Sequence, residues 1–328
     1  MNIAIIGCGL IGEKRARALG AMGGGHKLVM VSDRERGRAE KVARINKENA
    51  AIASSWEEAA ACPDADLVIV STSNDSLTAV GMYALRHNKH VLIEKPGARN
   101  SSEIEPFYME SLESDRKVKV GFNLRYHPAM LKAKEIASSP EFGSLMFIRG
   151  RYGHGGRIGY DKEWRANPEI SGGGELIDQG VHLIDLSRHF MGDFEKVEGF
   201  AETYFWDMKV DDNGFISLRN PGNRAAWLQV SCTEWKNMFC FEIYGKYGKL
   251  QIDGLGGSYG LERLSYYKML PEMGPPQTTI WEYPGGDLSW DLEFKDFIFA
   301  IENDRPVNGS LNDAFEALKI VDKIYGRI

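Results

Sequence analysis

Three stretches of this 328-residue chain carry residue types and spacings that could do chemistry. The first is Gly7-x-Gly9-x-x-Gly12, which follows an apolar run over 3–6 and leads without a linker into an amphipathic stretch over 10–22. Gly7 permits a tight turn, Gly9 has no side chain to keep a pyrophosphate off the backbone, and Gly12 lets a helix lie close on a strand. The N–H groups of that helix's first turn, those of Leu10 and Ile11 among them, would face the anion. A ligand-free glycine turn is the bland alternative, and the strand before it and helix after it argue against that. A second apolar run, 27–32, ends at Asp33, about twenty residues past the last glycine, where an acid holds the adenosine ribose. That carboxylate can accept from both ribose hydroxyls of NAD and would repel the extra phosphate of NADP. Arg34 follows it and could offset the repulsion with help from Ser32, so NAD is expected and NADP is the alternative.

The second stretch, His90 to Pro96, reads as a buried strand ending in Glu94, Lys95 and Pro96 at the sheet edge where the cofactor should lie, so Glu94 and Lys95 are candidate cofactor contacts. Desolvation favours the neutral form of an amine, which suits proton exchange with a substrate hydroxyl, and proline stiffens the backbone beside it. A strand-end ion pair between Glu94 and Lys95 is the competing explanation. The third stretch runs from Ser171 through a triple glycine to Asp178, His182 and Asp185. Asp178 and His182 stand at i and i+4, so on a helix they share one face. The glycines let another backbone or a ligand approach that face. Asp178 and His182 could also be two metal ligands, but a catalytic metal needs a third and none stands nearby, so no metal is expected. A structural Asp–His pair steadying the helix is a further alternative.

These residues need elements to position them. Short apolar runs over 3–6, 28–32, 51–53, 67–71, 90–94 and 118–122 alternate with helical patterns over 10–22, 35–46, 56–61, 76–88 and 101–114. Such alternation implies a doubly wound parallel sheet whose ligand lies at the carboxyl ends of the strands. After one helical pattern over 128–138 the chain reads as strands over 145–152, 196–206, 214–219, 224–233, 238–244 and 249–252. The Asp212-Asn213-Gly214 and Pro221-Gly222-Asn223 stretches look like turns between them. Helical patterns over 176–190, 291–302 and 311–325 complete the chain. The expectation is α/β: a dinucleotide-binding domain over 1–122, then an α+β domain over 123–328 with a mainly antiparallel, open-faced sheet.

Composition narrows the class. A net charge of −6 gives no support for nucleic-acid binding, and no apolar stretch is long enough to span a membrane. The N-terminal apolar run lacks a basic leader and is broken by glycines, so no signal peptide is expected. Four cysteines without paired close spacing, one of them inside the glycine turn, suit a reducing cytoplasm.

The glycine motif, Glu94-Lys95-Pro96 and the triple glycine followed by Asp178 and His182 occur in an order and spacing that resembles the glucose–fructose oxidoreductase/inositol dehydrogenase (Gfo/Idh/MocA) family. The resemblance runs over nearly the whole chain. It implies an N-terminal Rossmann domain followed by an open-faced sheet domain, with NAD(P)-dependent oxidation of a hydroxyl on a sugar or cyclitol. It implies that Lys95 and His182 handle the hydroxyl proton, with Asp178 bonding the substrate or orienting His182. Trp164 and Arg165 resemble the segment that reaches the cofactor from the second domain. Asn123, Arg125 and Tyr126 resemble the one that enters the substrate pocket. Ser71, Thr72 and Asn74 stand where the family contacts the nicotinamide, although Ser73 and Leu77 replace its usual proline and histidine. A histidine common on the family's first helix is absent; Lys14, Arg15 and Arg17 are there instead and read as a solvated helix face. Arg149, Arg151 and Arg157 suggest an anionic substrate such as a nucleotide sugar, with surface arginines as the alternative. A homodimer or homotetramer through the second sheet is implied as well. Two other functions fit the same fold: a tightly held, recycled nicotinamide giving isomerisation or glycoside cleavage, and a non-catalytic sensor. A sensor would typically lose the lysine or the histidine, and this chain keeps both.

Overall fold

The computed structural model describes residues 1–45, 49–272 and 274–328. Two compact units divide it. The first comprises Met1–Phe122, Glu169–Gly172 and Trp290–Glu316; the second comprises Asn123–Pro168, Gly173–Ser289 and Ala317–Ile328. The first change of unit falls at 122/123, but the first unit is not contiguous, because two later segments of the chain belong to it.

In the first unit β1 (Asn2–Ile6), α1 (Leu10–Met22), β2 (Lys27–Ser32) and α2 (Arg36–Ala43) come first. β3 (Ala51–Ile52), α3 (Trp56–Ala60), β4 (Leu67–Val70) and α4 (Asn74–Arg86) follow, then β5 (His90–Glu94), α5 (Ser101–Leu112) and β6 (Val118–Gly121). The six strands are all parallel in the order β3-β2-β1-β4-β5-β6, the arrangement of a dinucleotide-binding sheet. Ile3–Ile6, Leu67–Val70 and Val91–Ile93 are buried without alternation, as helices on both faces of a parallel sheet require. The helix expected over 35–46 ends at Ala43, and Asn46 lies outside the described residues.

The second unit contains α6 (Pro128–Ala137) and β7 (Leu145–Gly153); a turn, α7 (Pro168–Ser171), which from Glu169 on belongs to the first unit, then leads into the triple glycine. A π-helical turn, Leu176–Gly180, opens into α8 (Val181–Met191). Next come β8 (Lys196–Glu202), β9 (Asn213–Arg219), β10 (Ala225–Ser231), β11 (Met238–Gly245) and β12 (Gly248–Asp253). β13 (Glu262–Lys268) and β14 (Gln277–Tyr283) follow, and α9 (Ser289–Glu302) and α10 (Leu311–Ile324) complete the chain order, with Trp290–Glu316 of these two helices belonging to the first unit. The eight strands run β14-β13-β12-β11-β7-β10-β9-β8 and are antiparallel except for the central pair β7 and β10. Ile148, Gly150 and Tyr152 face one side of β7, where Leu183 of α8 lies close to Gly150. Arg149 and Arg151 face the other side, along with their cross-strand neighbours Trp227 and Gln229.

Several sequence expectations need correction. Strand β8 ends at Glu202 rather than 206, because the Asp212 carboxylate gathers the N–H groups of Tyr204, Phe205 and Trp206 into a turn. Asn213 and Gly214 then begin β9 and are not a hairpin turn, whereas Pro221 to Asn223 does turn. Strands β13 and β14 were absent from the sequence reading. Their charged and polar residues, interleaved with tyrosines and a tryptophan, show no apolar run of the kind that marks a buried strand.

Candidate active site

Gly7 is forced to be glycine by geometry: φ is +90° and a Cβ would lie 2.4 Å from the Ser71 carbonyl oxygen. Ser71 Oγ donates to the Gly7 carbonyl at 2.7 Å, which ties the turn to the end of β4. Gly12 lies against the same turn, and a Cβ there would be 2.0 Å from the Gly7 oxygen. At Gly9 an added Cβ meets nothing within 4 Å. Gly9 also starts α1 without any side-chain cap, and the following Leu10 is 74% exposed. The loop is closed where it meets protein and open where a diphosphate would meet backbone, so these residues fit a dinucleotide.

Asp33, half-buried at the end of β2, shapes that loop. Its Oδ2 accepts the Cys8 N–H at 2.6 Å and its Oδ1 accepts the Glu35 N–H at 2.8 Å. Remaining lone pairs can take a ribose hydroxyl. Burial and the Asp33 charge push the Cys8 thiol up to about 12, so it remains a neutral packing group. Arg34 is exposed, and Thr72 is half-buried. Asn74 is buried and donates to the Ser171 carbonyl at 2.8 Å, so its amide anchors the 169–172 segment of its own unit.

Lys95 is half-buried just beyond β5, and its peptide bond to Pro96 is cis. Glu94, the strand's last residue, turns into the protein. It is buried, and its Oε1 accepts Arg15 Nε at 2.7 Å, with Arg15 Nη2 2.6 Å away. Burial pushes the Glu94 carboxyl up from its usual range while the Arg15 charge opposes that rise. Arg15 is 0% exposed, which corrects its assignment to a solvated face; of that cluster Arg17 alone is exposed and Lys14 is half-buried. A basic residue one turn past the glycines cannot be recognised as buried until its two acidic partners, 79 positions on at Glu94 and near the chain's end at Glu293, are brought to it.

The second unit holds Asp178 and His182. Asp178 lies in the π-helical turn, a distortion frequent at functional sites, and His182 is buried on α8. Arg165 Nε donates to Asp178 Oδ2 at 3.2 Å, and the Arg165 guanidinium stands 4.5 Å from the half-buried Trp164 ring. The Tyr152 ring meets His182 edge-on at 6.1 Å and Tyr259 at 5.5 Å. Burial, Tyr259 and the Asp178 charge all hold the Tyr152 phenol in its protonated form. Beside them Tyr160 Oη donates to Glu175 Oε1 at 2.7 Å, and His154 Nε2 lies 3.4 Å from the same oxygen. Tyr152, Tyr160, His154, Tyr259 and Glu175 thus surround the expected pair, and the sequence reading missed all five. Tyr152, His154 and Tyr160 give one local signal, an aromatic and histidine density over 152–160, whereas Tyr259 and Glu175 give none.

The remaining expected residues have partners of their own. Arg125 is buried in an ion pair with Asp185, whose Oδ2 accepts Arg125 Nε at 2.8 Å. Asn123 Nδ2 donates to Ser289 Oγ at 2.9 Å, and Tyr126 is buried. Arg151 points to the sheet face opposite α8, and lies 3.2 Å from Glu234. Arg149 is tied to Glu242 and Tyr244, and Arg157 to Glu163. Each arginine that suggested an anionic substrate already has an acid beside it.

The comparisons with known proteins follow this division. Residues 1–122 match the family profile described as oxidoreductase family, NAD-binding Rossmann fold, and residues 130–251 match the GFO/IDH/MocA C-terminal domain. A levoglucosan dehydrogenase of Pseudarthrobacter phenanthrenivorans is 27% identical over 229 residues, 66% of this chain and 58% of that protein. An inositol 2-dehydrogenase of Salmonella typhimurium is 25% identical over 320 residues, 94% of this chain and 88% of that one. The first curated relatives are matched over less than two thirds of their own length, at 58%, 59% and 54%. A solved levoglucosan dehydrogenase in complex with NADH has a TM-score of 0.90 at 22% identity, covering 100% of this chain and 96% of that one, which is a likeness of fold. Both halves of one family's architecture are therefore present in order, and the chain belongs to the Gfo/Idh/MocA oxidoreductase family.

Proposed function

We propose that the protein is an NAD-dependent dehydrogenase or reductase that interconverts a hydroxyl and a ketone on a neutral sugar, anhydrosugar or cyclitol. The observation that carries this reading is one sheet edge, where the open backbone at Gly9, the Asp33 carboxylate and the Lys95 amine all follow the carboxyl ends of parallel strands. A bound nicotinamide supplies the hydride acceptor or donor. Gly7, Gly9 and Gly12 with the first turn of α1 would hold its diphosphate, and Asp33 its ribose. Lys95 takes the hydroxyl proton on oxidation and returns it on reduction, with His182 as partner and Asp178, steadied by Arg165, as a substrate acceptor. The aromatic and hydroxyl-bearing surroundings of His182 suit the mixed apolar and polar faces of a polyol. Relatives named for levoglucosan and inositol support a neutral substrate, as does the pairing of Arg149, Arg151 and Arg157 with acids. The exposed Phe147, Phe200 and Trp227 on the open sheet face are where a second copy would sit in this reading.

The test is growth of the reduced-nicotinamide absorbance with NAD and a panel of levoglucosan, inositols, hexoses and sugar phosphates. Turnover is expected with neutral members of the panel. In Lys95→Ala it should fall about a hundredfold or more while NAD affinity, by fluorescence titration, stays within about twofold. Undiminished turnover in that variant removes Lys95 from the reaction.

A further inference from the structure

Arg15 connects regions far apart in the sequence. From α1 it reaches Glu94 at the end of β5 and, through Nη1, Glu293 of α9 at 2.7 Å. The Nε contact to Glu94 has hydrogen-bond geometry, while the Glu293 contact is a close ion pair outside it. Lys119 of β6 stands 3.8 Å from the other Glu293 oxygen, and the Trp290 ring lies 4.6 Å from the guanidinium. Arg15, Lys119 and Glu293 are fully buried, so two cations balance two carboxylates in a closed space. Burial works against the Arg15 charge, but Glu94 and Glu293 outweigh it and hold its proton more tightly than usual.

Stability does not explain such a cluster. Buried ion pairs often contribute no more than well-packed apolar residues of the same volume, because desolvation offsets their attraction. Its position offers a reason. Glu94 is joined directly to Lys95, and the Lys95 charge acts on the Glu94 carboxyl. The turn that carries Lys95 is pinned twice more: Gly97 N–H donates to the Glu94 carbonyl at 3.1 Å, and Thr78 Oγ1 donates to the Gly97 carbonyl at 2.9 Å. Gly121 leaves room for the pair, since a Cβ there would lie 2.7 Å from Arg15 Nη2 and 2.9 Å from Glu94 Oε2.

We propose that Arg15 and Glu293 are positioning residues for Lys95: the guanidinium, braced by Glu293, fixes Glu94, and so aims the neighbouring amine and sets the charge it feels. The catalytic meaning of this rests on Lys95 handling the substrate proton, but the arrangement can be tested without turnover. The charged groups linked to the lysine through Glu94 are Glu94 itself on β5, Arg15 on α1, Glu293 on α9 and, through Glu293, Lys119 on β6.

The experiment traces acetylation of Lys95 by acetic anhydride between about pH 6 and pH 10 in the full chain, read by peptide mass spectrometry beside a thermal melt. Glu293→Gln removes a negative charge, so the midpoint of the labelling curve should move to lower pH. Arg15→Gln removes a positive charge beside Glu94, so the midpoint should move to higher pH. Each shift should be about half a pH unit or more, and the double variant should return toward wild type. A cluster that merely stabilises the fold would raise labelling at every pH in all three variants without opposed shifts, and that result overturns the proposal. Should Arg15→Gln fail to fold, Glu293→Gln decides alone, because it keeps the guanidinium on Glu94: an unmoved midpoint rejects the coupling. Failure of the dehydrogenase reading would be seen separately, as Lys95→Ala retaining turnover.

Discussion

A Cβ added at Gly9 would meet nothing within 4 Å, whereas one added at Gly174 would lie 1.9 Å from the carbonyl oxygen of Asp211. Both glycines belong to glycine-rich stretches that lead into helices, and both stretches lean on an aspartate. Asp33 accepts the Cys8 N–H at 2.6 Å in the first unit. In the second, Asp211 accepts the N–H groups of Gly174 and Leu176 at 2.9 and 2.8 Å. What differs is the space beside the backbone. Around Gly9 it is open, and Asp33 is half-buried at its edge. Around Gly173 and Gly174 it is filled by Asp211 and by Tyr325, whose hydroxyl donates to Asp211 at 2.5 Å. Gly174, like Gly7 and Gly12, is glycine so that the chain can approach itself, whereas Gly9 leaves open the space that the proposed diphosphate would take.

Paired substitutions should separate the two roles. Gly174→Ala drives a methyl into backbone that cannot yield, and should destabilise the protein by more than about 3 kcal/mol in urea unfolding. Gly9→Ala is compatible with the observed φ of −71° and should change stability by less than about 1 kcal/mol, yet weaken NAD binding about tenfold or more. A Gly9→Ala protein that binds NAD normally would break the contrast at its open end.

Sequence reasoning reached one of these stretches further than the other, for a physical reason. The Gly7 to Gly12 motif announces itself through spacing, from β1 to an acid at Asp33, even though its fit against Ser71 at the end of β4 comes only with the fold. The same holds for the parallel strands, whose unbroken apolar runs need no partner to be recognised. The triple glycine depends on Asp211 and on Tyr325 near the chain's end, and nothing local announces either. Arg15 was misjudged for the same cause, since its partners Glu94 and Glu293 arrive only with the fold. Spacing singles out Asp178 and His182 as candidates, but the intervening π-helical turn means that simple i, i+4 helical geometry does not describe their relation.

The supporting side chains give a finer test of the same contrast. Asp33→Asn should lower NAD affinity about tenfold and narrow the gap to NADP, with a stability loss of about 1 kcal/mol, because the amide oxygen can accept from only one of the Cys8 and Glu35 N–H groups. Tyr325→Phe removes a buried donor from Asp211 and should cost about 1–2 kcal/mol of stability, leaving NAD affinity unchanged. If Tyr325→Phe weakened NAD binding instead, the second glycine stretch would also be serving a ligand.

The smallest effect expected concerns Glu175, the residue that follows Gly174. Burial disfavours the charged form of His154, but its bond to Glu175 and the negative charges of Glu175 and Asp178 outweigh that, so the ring holds its proton above the usual imidazole range. The Gly156 N–H, donated to His154 Nδ1 at 3.0 Å, pulls the other way and keeps the effect modest. A base whose folded pKa is raised binds its proton more tightly in the native chain. Its contribution is therefore complete below about pH 6.5 and disappears as pH climbs through the raised value. The unfolding free energy of wild type relative to His154→Gln should thus be greatest near about pH 6 and diminish toward about pH 9. A difference that stayed level over that range would mean that the imidazole remains neutral and only donates from Nε2 to Glu175. The filling of the second glycine stretch would then owe nothing to charge on this side, and would rest on Asp211 and Tyr325 alone.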